Sequence, residues 1–153
     1  AIGAGLDLAW TCHMRISASR AVFAGSFIKL GIVPGDGGAW FLPRIVGYSM
    51  ACEMALTGVQ IDAEEARRIG LVSRVVDSEM LLETAQETAG RIDAMPGRTI
   101  RLTKRLLRDG GQLSLDQHLE MAGAFQTIAH ETEDHREALA AVFEKRSPVF
   151  RNR

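Results

Sequence analysis

Hydrophobic positions change character about halfway along the chain. Up to residue 78 they come in short runs broken by glycine, proline or charge, and from residue 79 onward they keep helical spacing. In the first half, Leu6, Leu8, Ala9 and Trp10 follow Gly3-Ala4-Gly5 and predict a helix over about Gly5 to Cys12. Met14 to Ala18 alternates and Ala21-Val22-Phe23 is short and apolar, so both read as strands. Gly31 to Gly38 carries too much glycine and proline for a regular element and reads as a shaped loop. It leads into Ala39-Trp40-Phe41-Leu42, where Pro43 is tolerable only in a first helical turn or at a break, and Gly47 ends the piece. Met50 to Leu56 reads as a helix stopped at Thr57-Gly58, and Asp62 with Glu65 has the form of a capping box on a short helix stopped at Gly70. Leu71 to Val76 reads as a strand.

The second half predicts four helices. Glu79 to Ala94 carries a stripe of Leu81, Ala85, Thr88 and Ile92, and Arg98 to Arg108 carries Ile100, Leu102, Leu106 and Leu107 before Gly110-Gly111. Ser114 and Gln117 form a capping box ahead of Leu115, Leu119, Ala122, Phe125, Ile128 and Ala129. Thr132 caps a last helix that is acidic at its start (Glu133, Asp134) and basic at its end (Lys145, Arg146), as a helix dipole favours. The expected organisation is a chemical part over 1–78 and a packing or assembly part over 79–153.

Composition narrows the partners. A chain of 153 residues, 46% hydrophobic and 24% charged, is long enough for one domain with a real core. Eighteen basic against nineteen acidic residues give a net charge of −1, which lacks the electrostatic footprint of a nucleic-acid or anionic-membrane binder. No apolar run approaches the roughly 20 residues of a membrane helix, so a soluble, cytoplasmic protein is expected. Cys12 and Cys52 are isolated, and His13, His118, His130 and His135 show no ligand spacing, so neither a metal nor a redox pair is expected.

The candidate chemistry begins at the first helix. Gly3-Ala4-Gly5 before a helix offers unpaired N–H groups at the positive end of the helix dipole, suited to an oxyanion, and Asp7 lies in the same turn. Asp in a first turn is also a common dipole partner with no chemical role. The dinucleotide fingerprint is excluded because Leu8 stands where its third glycine belongs, and no Gly-Lys-Ser/Thr phosphate loop occurs. A turn of this kind is normally fed by a preceding strand, so sequence ahead of Ala1 is expected.

Taken in order, Ala1-Ile2-Gly3-Ala4-Gly5-Leu6-Asp7-Leu8-Ala9, Leu30-Gly31-Ile32-Val33-Pro34-Gly35-Asp36-Gly37-Gly38, Leu42-Pro43-Arg44, Leu56-Thr57-Gly58, Ile69-Gly70-Leu71-Val72 and Phe143-Glu144-Lys145-Arg146 resemble the enoyl-CoA hydratase/isomerase (crotonase) family. The resemblance is collinear over nearly the whole chain and implies an α/β fold, the C-terminal part of a ββα spiral followed by a helical region that packs trimers or dimers of trimers. It implies an acyl-CoA substrate with no separate cofactor, coenzyme A being part of the substrate, and a thioester enolate held by two backbone N–H groups. One of these falls at Ala4 and the other ahead of residue 1. The hydratase pattern of two glutamates falls on Asp7 and Phe27, which points to an isomerase-like reaction more than to hydration. Asp36 lies in the loop where some members place a catalytic aspartate, theirs falling at Gly35; as a loop residue it can equally bond its own backbone. Lys145 matches a position that meets the CoA phosphates or adenine, or it serves as a basic residue at a helix C-terminus. The alternative function is a non-catalytic binding or assembly subunit of the same fold. Trp10, Trp40 and Phe41 read as core.

Overall fold

The computed structural model describes residues 1–152. The chain divides into two compact units, residues 1–86 and residues from Glu87 onward, and the division falls inside one helix, later than the pattern change at residue 78. Each unit is described by itself.

The first unit opens with helix α1 (Ala4–Trp10), strands β1 (Ile16–Ala18) and β2 (Val22–Phe23) and a 3-10 turn over Ser26–Leu30. Helices α2 (Gly38–Val46) and α3 (Tyr48–Thr57), strand β3 (Ile61–Asp62), helix α4 (Ala63–Arg68) and strand β4 (Arg74–Val76) follow. β1 runs parallel to β4, with Ile16 opposite Arg74 and Ala18 opposite Val76; β2 runs antiparallel to β3, with Val22 opposite Asp62. An isolated parallel bridge joins Ile2 to Ala24. The Gly3 N–H donates to the Ala24 carbonyl at 2.9 Å, which ties the start of α1 to the segment leading into the 3-10 turn.

Local chemistry explains most of these bounds. The Asp62 carboxylate accepts from the Glu65 N–H at 2.8 Å, the expected cap, while the Glu65 side chain turns to Arg68 instead of completing the box. α3 ends at Gly58 and α4 runs out at Gly70, both with positive φ (62° and 79°). Two features depart from expectation. The 3-10 turn over Ser26–Leu30 was absent from the pattern, and α2 runs through Pro43 without stopping, leaving the Ala39 carbonyl without its i+4 donor. The Arg44 side chain instead reaches back to the Trp40 carbonyl at 2.7 Å.

The core of this unit joins Leu6 and Trp10 of α1 to Phe23, Leu42, Ala51, Met54, Ile61, Ala66, Leu71 and Val72. Leu6, Met54 and Leu71 are fully buried, each contributing about 1.5–3 kcal/mol. Trp10 is core as expected, but Trp40 is 46% exposed, with the Arg44 guanidinium 3.9 Å from its ring centroid.

α5 (Leu81–Asp93), preceded by a 3-10 turn over Ser78–Met80, crosses the division between the units. The second unit continues with α6 (Gly97–Asp109), α7 (Leu115–His130) and α8 (Glu133–Glu144). The Ser114–Gln117 capping box forms in both directions, and the Thr132 hydroxyl accepts from the His135 N–H at 3.1 Å. α6 packs on α7 and α7 on α8, yet neither α6 nor α7 buries a residue fully. Arg146 bonds Glu137 and Glu144, and Glu137 also accepts from the Val149 N–H at 2.8 Å, which folds the tail back along α8. The Arg146 guanidinium holds the Glu137 carboxyl down to about 2. Among the described residues, no helix is long and apolar enough to cross a membrane.

Candidate active site

The start of α1 is shaped by Gly3, at φ 57° and ψ −132°, a conformation that a side chain would strain. Its carbonyl takes the N–H groups of Leu6 (2.8 Å) and Asp7 (3.0 Å). The Ala4 and Gly5 N–H groups stand ahead of the helical ladder and, among the described residues, meet no backbone acceptor. Both residues are exposed.

One turn further in, Asp7 is 3% exposed. A carboxylate so buried needs donors, and it has two. The Trp10 indole N–H donates to Asp7 Oδ1 at 3.1 Å from three residues along the same helix, and the Gly38 N–H donates to Oδ2 at 3.3 Å from the first turn of α2. Glycine at 38 is what permits the approach, because a Cβ there would lie 2.4 Å from Asp7 Oδ1 and 2.7 Å from Cγ. The glycine-rich loop therefore delivers a backbone donor onto the acid.

Asp7, Trp10 and Gly38 line a small cavity with Phe27, Pro34 and Leu42. Its volume of about 30 Å³ has room for a water-sized group. Phe27 comes from the 3-10 turn, Pro34 from the following loop, Leu42 from α2 and Ala55 from α3, so four separate segments converge on Asp7. Asp7 is the one carboxylate in this lining among the described residues, and Phe27 gives the cavity an aromatic wall.

The other candidates lie elsewhere. Asp36 is exposed in the loop and is not among the cavity-lining residues; the same loop brings Gly38, two positions later, against Asp7. Lys145 belongs to the second unit, where it caps α8 exposed and in the left-handed region at φ 53°. That conformation costs a residue with a Cβ about 1 kcal/mol and is usually filled by glycine. Within the Glu144-Lys145-Arg146 motif, Arg146 is the structural clamp and Lys145 the side chain left to solvent. The sequence reading missed the donor role of Trp10. Its spacing from Asp7, three residues apart on one helix, was the available signal.

Residues 1–153 match the enoyl-CoA hydratase/isomerase family over their full extent. The chain is 38% identical over 150 residues to the 1,2-epoxyphenylacetyl-CoA isomerase of Escherichia coli, covering 98% of the chain and 57% of the relative. It is 39% identical to the crotonyl-CoA hydratase of Syntrophomonas wolfei, covering 98% of the chain and 58% of that protein. Among solved structures, the enoyl-CoA hydratase of Bacillus anthracis superposes with a TM-score of 0.97 at 36% identity, over 100% of this chain and 59% of that one. The chain thus spans somewhat under two thirds of the length of these relatives and shares their crotonase-like fold over that span.

Proposed function

The chain belongs to the enoyl-CoA hydratase/isomerase family, and from that membership we propose that the intact protein acts on an acyl-CoA thioester by moving a proton rather than by adding water. The relatives include one named an isomerase and one named a hydratase, so similarity alone does not choose between the reactions. The observation that carries the choice is the pairing of a single buried carboxylate, Asp7, with the Phe27 ring in one cavity. Adding water to an enoyl thioester asks for one group to activate the water and another to supply the α-carbon proton. A phenyl ring does neither.

In this reading the Ala4 N–H holds the thioester oxygen as negative charge develops on it. Asp7 removes a proton from the α- or γ-carbon, the electrons pass into the enolate, and the same carboxyl returns the proton to the other carbon, shifting the double bond. Donors aimed at such an oxygen are worth roughly 3 kcal/mol each. Lys145 meets the CoA phosphates, and Asp36 takes no part in the proton transfer.

The test is to supply the intact protein with crotonyl-CoA and a 3-enoyl-CoA in deuterated water. Double-bond isomerisation and α-deuteration with little hydration are the expected results. Hydration at a turnover of about 10 per second or more would overturn the reading. Neither reaction on any acyl-CoA would favour the non-catalytic subunit.

Self-association through the second unit belongs to the same proposal. Leu107, Val142 and Phe143 are at least 73% exposed on its helices, and α6 and α7 leave their apolar stripes without a fully buried residue. A trimer or a dimer of trimers is expected by sedimentation equilibrium of the intact protein. A monomer at high micromolar concentration would contradict it.

A further inference from the structure

We infer that Trp10 is a positioning residue for the acid of this site, its indole N–H fixing the angle at which the Asp7 carboxylate meets the substrate. The inference rests on the reading of Asp7 as the proton-transferring group. The terminal torsion of an aspartate is broad, so a carboxylate in a cavity turns freely unless something holds each oxygen. Here both are held, Oδ1 by the Trp10 indole at 3.1 Å and Oδ2 by the Gly38 amide at 3.3 Å.

The two donors differ in what stands behind them. Gly38 N–H belongs to backbone, whereas Trp10 depends on its ring being immobile, and the ring is 3% exposed within the cluster of Leu6, Leu42 and Met54. An indole N–H is also a donor only and does not titrate, so it orients the carboxylate without competing for the proton. Each carboxylate oxygen keeps a second lone-pair direction, which leaves capacity to take the substrate proton while both holds persist. A carboxylate fixed in angle forms a near-attack arrangement more often than one that rotates, and this raises turnover without altering how the CoA portion binds.

Two measurements on the intact protein test this. Trp10→Phe keeps an aromatic ring and removes the N–H. It is expected to lower kcat for α-proton exchange about tenfold with KM for the thioester unchanged within about twofold. An unchanged kcat, or a loss seen only in KM, overturns the inference. The second measurement needs neither turnover nor a folded Trp10 variant. The Trp10 indole resonance in a ¹H–¹⁵N spectrum, assigned by selective labelling, is expected to move upfield in Asp7→Asn, where a neutral amide replaces the charged acceptor. An indole resonance in the same place in both proteins overturns the contact itself. Should the unmodified protein exchange no α-proton, the proposed reaction fails, and the indole resonance still decides whether Trp10 holds Asp7.

Discussion

Asp7→Asn is expected to lower α-proton exchange on an acyl-CoA thioester by about 10³-fold, the usual range for removing a general base. Asparagine has the shape of aspartate, so the cavity with Phe27 and Leu42 keeps its lining. It lacks the capacity to take a proton. It also places an NH2 where one of two donors, the Trp10 indole or the Gly38 amide, now points. Facing donor to donor in a buried position costs about 1–3 kcal/mol, so a lower unfolding midpoint should accompany the lost activity. Deuterium incorporation followed by mass spectrometry, together with thermal unfolding, measures both. Asp36→Asn is the informative partner experiment. Asp36 is exposed outside the cavity lining, and near-wild-type exchange is expected. If Asp36→Asn abolished exchange and Asp7→Asn did not, the base would be Asp36.

Gly38→Ala should be nearly as damaging, although it adds one methyl group and removes no functional group. The added Cβ would sit 2.4 Å from Asp7 Oδ1 and 2.7 Å from Oδ2, distances at which something has to move. The obstacle is not a flexible chain end. It is a buried carboxylate anchored by Trp10, on a helix whose Leu6 is fully buried. Either the Asp7 side chain swings off its donors or the start of α2 lifts away, and in both cases the 3.3 Å bond from the Gly38 N–H is lost. Overpacking of this kind costs about 1–3 kcal/mol, and a shift of about 1 Å in a reacting group costs roughly 10²-fold in rate. A Gly38→Ala protein with unchanged exchange rate and unchanged melting temperature would show that the loop and Asp7 do not meet as described.

What could be read from the sequence alone was what depends on neighbours three or four residues away. The caps at Asp62, Ser114 and Thr132 and the stops at Gly58 and Gly70 are interactions within one turn of chain, and they formed where the residue types placed them. The change from a strand-containing first part to a wholly helical second part was legible for the same reason, and the collinear motifs identified the family. The candidate site was legible in half. Asp7 and the open N–H of Ala4 lie in one turn of α1, so residue order sufficed to pair them.

The rest depended on segments distant in sequence. Gly38 reaches Asp7 across 31 residues, and glycine content by itself could not tell which member of the loop would touch the acid and which, like Asp36, would face solvent. Trp10 and Trp40 are alike in composition. One is enclosed by the cluster of Leu6, Leu42 and Met54, and the other is left outside under Arg44. α2 continues through Pro43 against the local rule, and its residues Leu42, Ile45 and Val46 pack on the core. Short-range hydrogen bonding and the period of apolar residues determined the elements, and residue order placed Asp7 in the first turn of α1. Packing of four distant segments decided which groups surround it, because burial and close approach belong to the folded arrangement and not to any one stretch of chain.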